Sequence, residues 1–316
     1  MVHRKGTSVT GKKIDLISKA ALFLLAGIAA VVIWKNGGRW LEEIQRYQWN
    51  LNAGELVISG ILMIVSLSLT PSGWVLVSRS MGCRVPTGEM YAAWYGSQLG
   101  RYIPGKIWLF AGRAGFLKAR GMKMGPAAAT TAYELFFTMA AVGLVVMVPA
   151  IVNPDIFQHP GVRTAAIAAS SAILLLPLLH PVQSLICRKK GIDPGKLPSL
   201  KTSLTATLIY SLLWTMRGLS LFLLLRGAGL VNVSFFHTLA AAPLSWLAGY
   251  IVFFVPGGIG VREAVAASIA APGLVAPAAL VIAGQRVFMA AAELLLALLN
   301  SGKVKFTSGG TDVHKQ

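Results

Sequence analysis

Six stretches of this sequence are each apolar over about 20 residues, the length a helix needs to cross a bilayer core about 30 Å thick. They run over 14–34, 55–78, 126–150, 163–186, 202–225 and 275–300. In hydrocarbon every backbone N–H and C=O has to be satisfied within the chain, so such runs become helices. The expected fold class is therefore an all-α polytopic membrane protein. Composition agrees, with 55% apolar and 13% charged residues, against about 45–50% and about 25% in a soluble domain. The first run follows Arg4, Lys5, Lys12 and Lys13 and contains Ala26, Gly27, Ala29 and Ala30, as a cleaved signal would. Val31, Val32, Ile33 and Trp34 carry it past those small residues, which favours an uncleaved anchor.

The net charge of +18 is, in so apolar a chain, a sign of loops facing anionic lipid rather than of nucleic-acid binding. Basic residues fall mostly on one side of the six spans. The N-terminus carries Arg4, Lys5, Lys12, Lys13 and Lys19, and the segment after the second span carries Arg79, Arg84, Arg101, Lys106, Arg113, Lys118, Arg120 and Lys123. The loop after the fourth span adds Arg188, Lys189, Lys190, Lys196 and Lys201, and the C-terminus Lys303, Lys305 and Lys315. The other side holds Lys35, Arg39, Arg46, Arg163 and Arg226. Lys and Arg near helix ends are retained in the cytoplasm, so both termini are expected there, with 301–316 as a cytoplasmic tail to a single integral membrane domain.

Two further segments, 88–120 and 236–271, are too polar for plain spans and too apolar for ordinary loops. The first is broken at Pro104-Gly105 and the second at Pro256-Gly257-Gly258-Ile259-Gly260, where Pro removes a donor and Gly frees the backbone. Irregular backbone at membrane depth is tolerated where protein buries it or a cavity hydrates it, so each segment is expected to be a re-entrant hairpin with its break as hinge. The alternatives are an amphipathic surface pair anchored by Trp94, Tyr95 and Trp108 for the first, and a kinked span for the second. The two breaks lie 152 residues apart, from Pro104 to Pro256, and the same offset carries the first three spans onto the last three. The repeated unit is helix, helix, hairpin, helix, over 14–150 and again over 163–300, and the charge count has the second copy entering from the opposite side. Inverted repeats with broken helices at matching places are the pattern of secondary transporters.

Ionisable residues at bilayer depth cost at least about 2.5–3.5 kcal/mol on insertion scales, so they face partners or wet cavities. Glu134, Arg217, Arg286 and Glu293 are in that position. Glu134 and Arg286 occupy equivalent places in the two halves, and a pair between them across the pseudo-symmetry axis is expected, either as part of a site or as a purely structural ion pair. Arg262 and Glu263 follow the second break, where the start of a half-helix attracts anions; Lys106 and Arg113 follow the first, and Arg101 precedes it. These five are the expected head-group residues. A local cap and salt bridge for Arg262 and Glu263, and snorkelling for Lys106, Arg113, Lys118 and Arg120, remain as alternatives.

Catalysis has thin support. Asp15, Asp155, Asp193 and Asp312 lie in loops or near span ends without a paired-aspartate motif, and the Gly-rich breaks are not a P-loop. His3, His159, His180, His237 and His314 occur singly, and Cys83 and Cys187 lack metal-ligand spacing. No enzyme activity, metal or cofactor is expected.

The segments Gly100-Arg101-Tyr102-Ile103-Pro104-Gly105-Lys106-Ile107-Trp108 and Pro256-Gly257-Gly258-Ile259-Gly260-Val261-Arg262-Glu263-Ala264 resemble the two signature segments of the lysylphosphatidylglycerol synthase transmembrane, or flippase-like, family. The resemblance runs from the first span to the last. It implies a multi-pass protein of the inner (cytoplasmic) membrane related to the flippase part of aminoacyl-lipid resistance proteins, without their synthase domain. With the inverted repeat, it makes lipid translocation the leading expectation, the cargo being an anionic, aminoacylated or polyprenyl-linked lipid. The other reading is an accessory protein that positions an envelope glycosyltransferase or lipid synthase.

Overall fold

A computed structural model describes residues 37–98, 100, 107–153, 156, 163–164, 167–168, 170–171, 197–252 and 255–303. The expected span at 14–34, most of that at 163–186, the break at Pro104-Gly105 and the tail beyond 303 lie outside the described residues. The other four spans form at nearly their expected places. The first of them comprises α1 (Ala53–Leu69) and α2 (Pro71–Ser80); α5 (Met124–Val152), α6 (Leu200–Gly227) and α9 (Val275–Ser301) are the remaining three. All four are long and apolar enough to cross a membrane, and the described residues contain no strand.

Local chemistry sets these boundaries. The Asn52 side chain accepts the Glu55 N–H at 3.3 Å to open α1, and the Ser199 hydroxyl accepts the Thr202 N–H at 3.2 Å to open α6. Pro71, with no N–H to offer the Leu67 carbonyl, divides α1 from α2. That carbonyl finds other donors, the Thr70 N–H at 3.3 Å and the Tyr95 hydroxyl, which reaches Leu67 O and Ser68 O at 3.2 Å each.

Both interrupted segments are helical hairpins. The arms of the first are α3 (Thr87–Gln98) and α4 (Ile107–Ala119); those of the second are α7 (Phe235–Ile251) and α8 (Val261–Ala270), joined through the short 3-10 turn Pro256–Gly258. Within each hairpin the arms pack on one another. The surface-pair alternative fails for the first, since Trp94 and Tyr95 are buried and only Trp108 stays exposed. The second folds back along itself, so it is not a kinked span. Both hairpins touch α5 and α9: α4 packs on α5 and α3 on α9, while α8 packs on α9 and α7 on α5; in addition α3 packs on α2, and α7 packs closely on α6.

At the centre α1 lies along α6. Small residues bring the two backbones close, as apolar surroundings favour. A Cβ on Gly227 would meet Leu56 at 3.0 Å, and the Ser59 and Ser220 hydroxyls each donate to the other residue's carbonyl, at 2.7 and 2.9 Å. The outer faces are apolar too. Val57, Ile58 and Ile61 on α1, Leu208 and Leu212 on α6, and Val287, Leu295, Leu298 and Leu299 on α9 are all exposed, as befits helices facing lipid.

Candidate functional site

A cavity of about 220 Å³ lies where the hairpins meet the long helices. Its apolar lining includes Met63 and Leu67 of α1, Leu213 and Trp214 of α6 and Trp246 of α7, and into this oily surface project Arg113, Glu134, Arg217, Arg262, Arg286 and Glu293. At a rise of about 1.5 Å per residue, Glu134 stands roughly 15 Å along α5 and Arg286 roughly 16 Å along α9. The charges are thus near the middle of helices long enough to span.

On one wall the Arg113 guanidinium of α4 pairs with the Glu134 carboxylate of α5, both almost fully buried. A buried pair survives only when its remaining hydrogen-bonding capacity is met, and here it is. Trp94 Nε1 donates to Glu134 Oε1 at 2.9 Å, and Arg113 Nε donates to Ser97 Oγ at 2.9 Å. The guanidinium carbon sits 5.0 Å from the Trp94 ring centre and 5.6 Å from that of Trp74, so two indoles supply the cation–π contact that partly replaces its water. Trp74 is itself held by Nε1 on Thr130 Oγ1 at 3.1 Å.

The opposite wall has the reverse polarity. Arg286 of α9 pairs with Glu263, in the first turn of α8, and its other nitrogen donates to the Gly257 carbonyl at 2.7 Å. The tip that offers this carbonyl is built from Gly257, Gly258 and Gly260, with φ of +62°, +70° and +82°, a region L side chains rarely adopt. It also folds tightly onto α7. A Cβ on Gly258 would lie 2.9 Å from the Gly249 Cα, and one on Gly249 would collide with the Arg262 side chain. Arg262 therefore occupies a slot that only two glycines leave open. Between the walls, Arg217 of α6 donates from Nε to Ser66 Oγ at 3.0 Å and from Nη2 to Thr70 Oγ1 at 2.7 Å, beside the α1–α2 bend, with its guanidinium 5.0 Å from the Trp214 ring centre.

The family model described as the lysylphosphatidylglycerol synthase TM region matches residues 18–292. The chain belongs to this family. No curated protein matches it. As a member of the lysylphosphatidylglycerol synthase TM region family, with four described helices fit to span, it is a membrane-embedded protein.

In this family member the cavity gathers most of those described residues that the sequence singles out. Arg113, Glu134, Arg217, Gly257, Arg262, Arg286 and Glu293 line it, and Glu263 pairs with one of the lining arginines. Arg101, Pro104, Gly105 and Lys106 lie outside the described residues; Pro256 opens the short turn, and Gly260 caps α8. One expectation is corrected: Glu134 and Arg286 do not pair across the halves, because each has a closer partner on the hairpin of its own half. Arg113 does not snorkel, since its side chain is 3% exposed. Glu263 turns to α9 rather than forming a local bridge with Arg262. The site also uses Trp94, which the sequence offered only as an interfacial anchor, and residues the sequence reading passed over, namely Ser66, Thr70, Gln98, Tyr210 and Gln285. A signal for part of this set exists, since Ser59, Ser66 and Thr70 recur at spacings of seven and four and so share one face of an apolar helix. Glu89 and Arg120 form a further missed pair between the arms of the first hairpin.

Proposed function

We propose that this protein is a lipid translocase of the cytoplasmic membrane. A charged or glycosylated head group occupies the cavity while its acyl or polyprenyl tails remain in the bilayer, and no covalent chemistry takes place. The observation that carries the reading is the cavity itself, a small and mostly apolar chamber into which arginines project from both hairpins, surrounded by helices whose outer faces are apolar. Buried charge on this scale is costly in a membrane protein and usually serves a ligand pathway. Arg262, Arg217 and Arg113 suit a phosphate or carboxylate, and Glu293 suits an ammonium.

In this reading residues 14–150 and 163–300 are inverted copies and both termini are cytoplasmic. Support comes from the matched contacts of the hairpins, each of which touches both α5 and α9, and from the two hairpin-to-helix ion pairs at 113 with 134 and at 263 with 286. The test is reconstitution into vesicles with tagged phosphatidylglycerol, its exposure followed with a membrane-impermeant quencher. Losing one charge-assisted contact of about 1.5–3 kcal/mol should slow transfer by roughly 10- to 100-fold in Arg262→Ala. Unchanged transfer in that variant would show that the half-helix site is misplaced. No transfer by the wild type, with one synthase or glycosyltransferase co-purifying at fixed stoichiometry, would overturn the translocase reading in favour of an accessory protein.

A further inference from the structure

The two ion pairs have the same topology but differ in how firmly they are held. In the first, Glu134 receives Trp94 on one oxygen and Arg113 on the other, Arg113 is sandwiched by two indoles, and the side chains are 3% and 9% exposed. In the second, the side chains are 18% and 14% exposed. Glu263 Oε2 is buried yet has no donor among the described residues. Arg286 meanwhile divides its donors between that carboxylate and the carbonyls of Gly257 and Gly258, at 2.7 and 3.4 Å for the latter two. The guanidinium is thus the fastener of the second hairpin tip, and it is also part of the cavity wall.

We propose that Arg286 is the cargo sensor of the cavity. An anionic group, phosphate or carboxylate, entering the cavity competes with Glu263 and with the tip carbonyls for the Arg286 guanidinium, and its binding releases the tip from α9. A planar guanidinium binds such an anion through two parallel hydrogen bonds, more than Glu263 accepts from it here. Glu263 does not become stranded, because it lies in the first turn of α8, where the helix dipole favours a negative charge. The tip can move because its backbone is glycine at three of five positions from Pro256 to Gly260. The Arg113–Glu134 pair, more deeply buried and with each partner held by a further hydrogen bond, stays closed and acts as the fixed reference. A ligand shifts an equilibrium only by its differential affinity for the two states, and Arg286 supplies that difference, since it faces the ligand in one state and the tip in the other. The inference rests on the cavity being the head-group site.

The test is a distance measurement by pulsed electron spin resonance on the full chain, with Cys83 and Cys187 replaced by Ala and spin labels on Ile259→Cys and Val287→Cys, both exposed positions. In phosphatidylcholine nanodiscs the tip-to-α9 distance should be short. In phosphatidylglycerol nanodiscs the long-distance share should rise on the order of 10-fold, from a minor state of a few per cent. The pair Arg286→Gln with Glu263→Gln, which strands no charge, should give the long distance in both lipids. Retained lipid is measured in parallel by mass spectrometry. Bound phosphatidylglycerol with no change in distance overturns the sensor and leaves the head-group reading standing. Neither retained lipid nor a change overturns both. Inorganic phosphate in phosphatidylcholine nanodiscs opening the tip as fully as phosphatidylglycerol supports the sensor and assigns the site to a soluble anion instead of a lipid.

Discussion

Glu134→Gln should destabilise the protein far more than any other neutralising substitution at a carboxylate in the cavity region. The Arg113 guanidinium it faces is 3% exposed and lies between Trp74 and Trp94, so the charge left behind is poorly hydrated. Removing one partner of such a pair costs about 3–5 kcal/mol. Gln retains an oxygen for Trp94 Nε1, which keeps the cost near the lower bound; Glu134→Ala loses that acceptor as well and adds about 1–3 kcal/mol for an unsatisfied buried N–H. In a chain of this size each kcal/mol corresponds to roughly 2–4 °C, so the unfolding midpoint in detergent, read by intrinsic tryptophan fluorescence, should drop on the order of 10 °C. Two comparisons isolate the cause. Glu263→Gln, whose arginine partner is 18% exposed against 3% for Arg113, should drop the midpoint by less than half as much. Replacing both members of the pair, Arg113→Met with Glu134→Gln, should recover most of the loss, since it strands no charge and leaves an acceptor for Trp94 Nε1. A double variant as unstable as the single one would refute the reasoning, because the loss would then lie in packing rather than in the stranded charge.

Tyr95→Phe should cost about 0.5–1 kcal/mol, since it removes the hydroxyl shared by the Leu67 and Ser68 carbonyls beside Pro71, the first of which keeps the Thr70 N–H at 3.3 Å; a thermal midpoint equal to the wild type would show that the hydroxyl adds nothing to these carbonyls. Gly258→Ala should lower both stability and transfer, because a Cβ there meets Gly249 at 2.9 Å and φ is +70°, whereas Gly284→Ala, in open space on α9, should leave both unchanged. Cysteines at the exposed positions Ala119 and Gly273 should react with an impermeant thiol reagent from the cytoplasmic and the external side respectively. Labelling of both from the same side would defeat the inverted arrangement. In Ser59→Val the reciprocal hydroxyl contacts with Ser220 are lost and the α1–α6 contact should weaken by about 1–2 kcal/mol, read as a lower midpoint in the same fluorescence scan.

The long helices are readable from the chain because hydrocarbon imposes a length and forbids exposed backbone, and the ends of α5, α6 and α9 fall within two residues of the apolar runs. The hairpins are readable from Pro and Gly, which state where a helix stops but not what its arms rest on. That is why Trp94 and Tyr95 look like interfacial anchors in the sequence and prove to be buried props. Charges at mid-helix do point to the cavity lining, since burial makes each of them expensive. Their partners are another matter. Glu134 and Arg286 share a register position, and register suggests a pair between them; the actual partners, Arg113 and Glu263, are chosen by the way each hairpin leans on the helix that follows it, which no spacing encodes. The neutral ligands of Arg217 are hidden for a related reason, because Ser and Thr are frequent in apolar helices and a hydroxyl carries no charge to betray its use.

The interface that carries the second hairpin differs in texture from the rest of the protein. Where α2, α5 and α6 meet, Val77, Phe137, Val142, Val146, Tyr210 and Trp214 interlock, and sliding one helix past another would require side chains to climb over each other. Around α7, α8 and α9 the buried surface is largely methyl groups: Ala241, Ala266, Ala267, Ala270, Ala271 and Ala278. Ridges that shallow present little corrugation to a neighbouring helix, and small sliding movements of packed helices are one of the ways proteins change shape. The alanines thus leave the contact of α8 with α9 shallow. The frame resists shear through its aromatic and branched side chains, and α7 is keyed into it by Leu239, Leu244 and Trp246, so that in the proposed release the moving piece is the tip with α8, which can slide on α9 without unpacking the aromatic core.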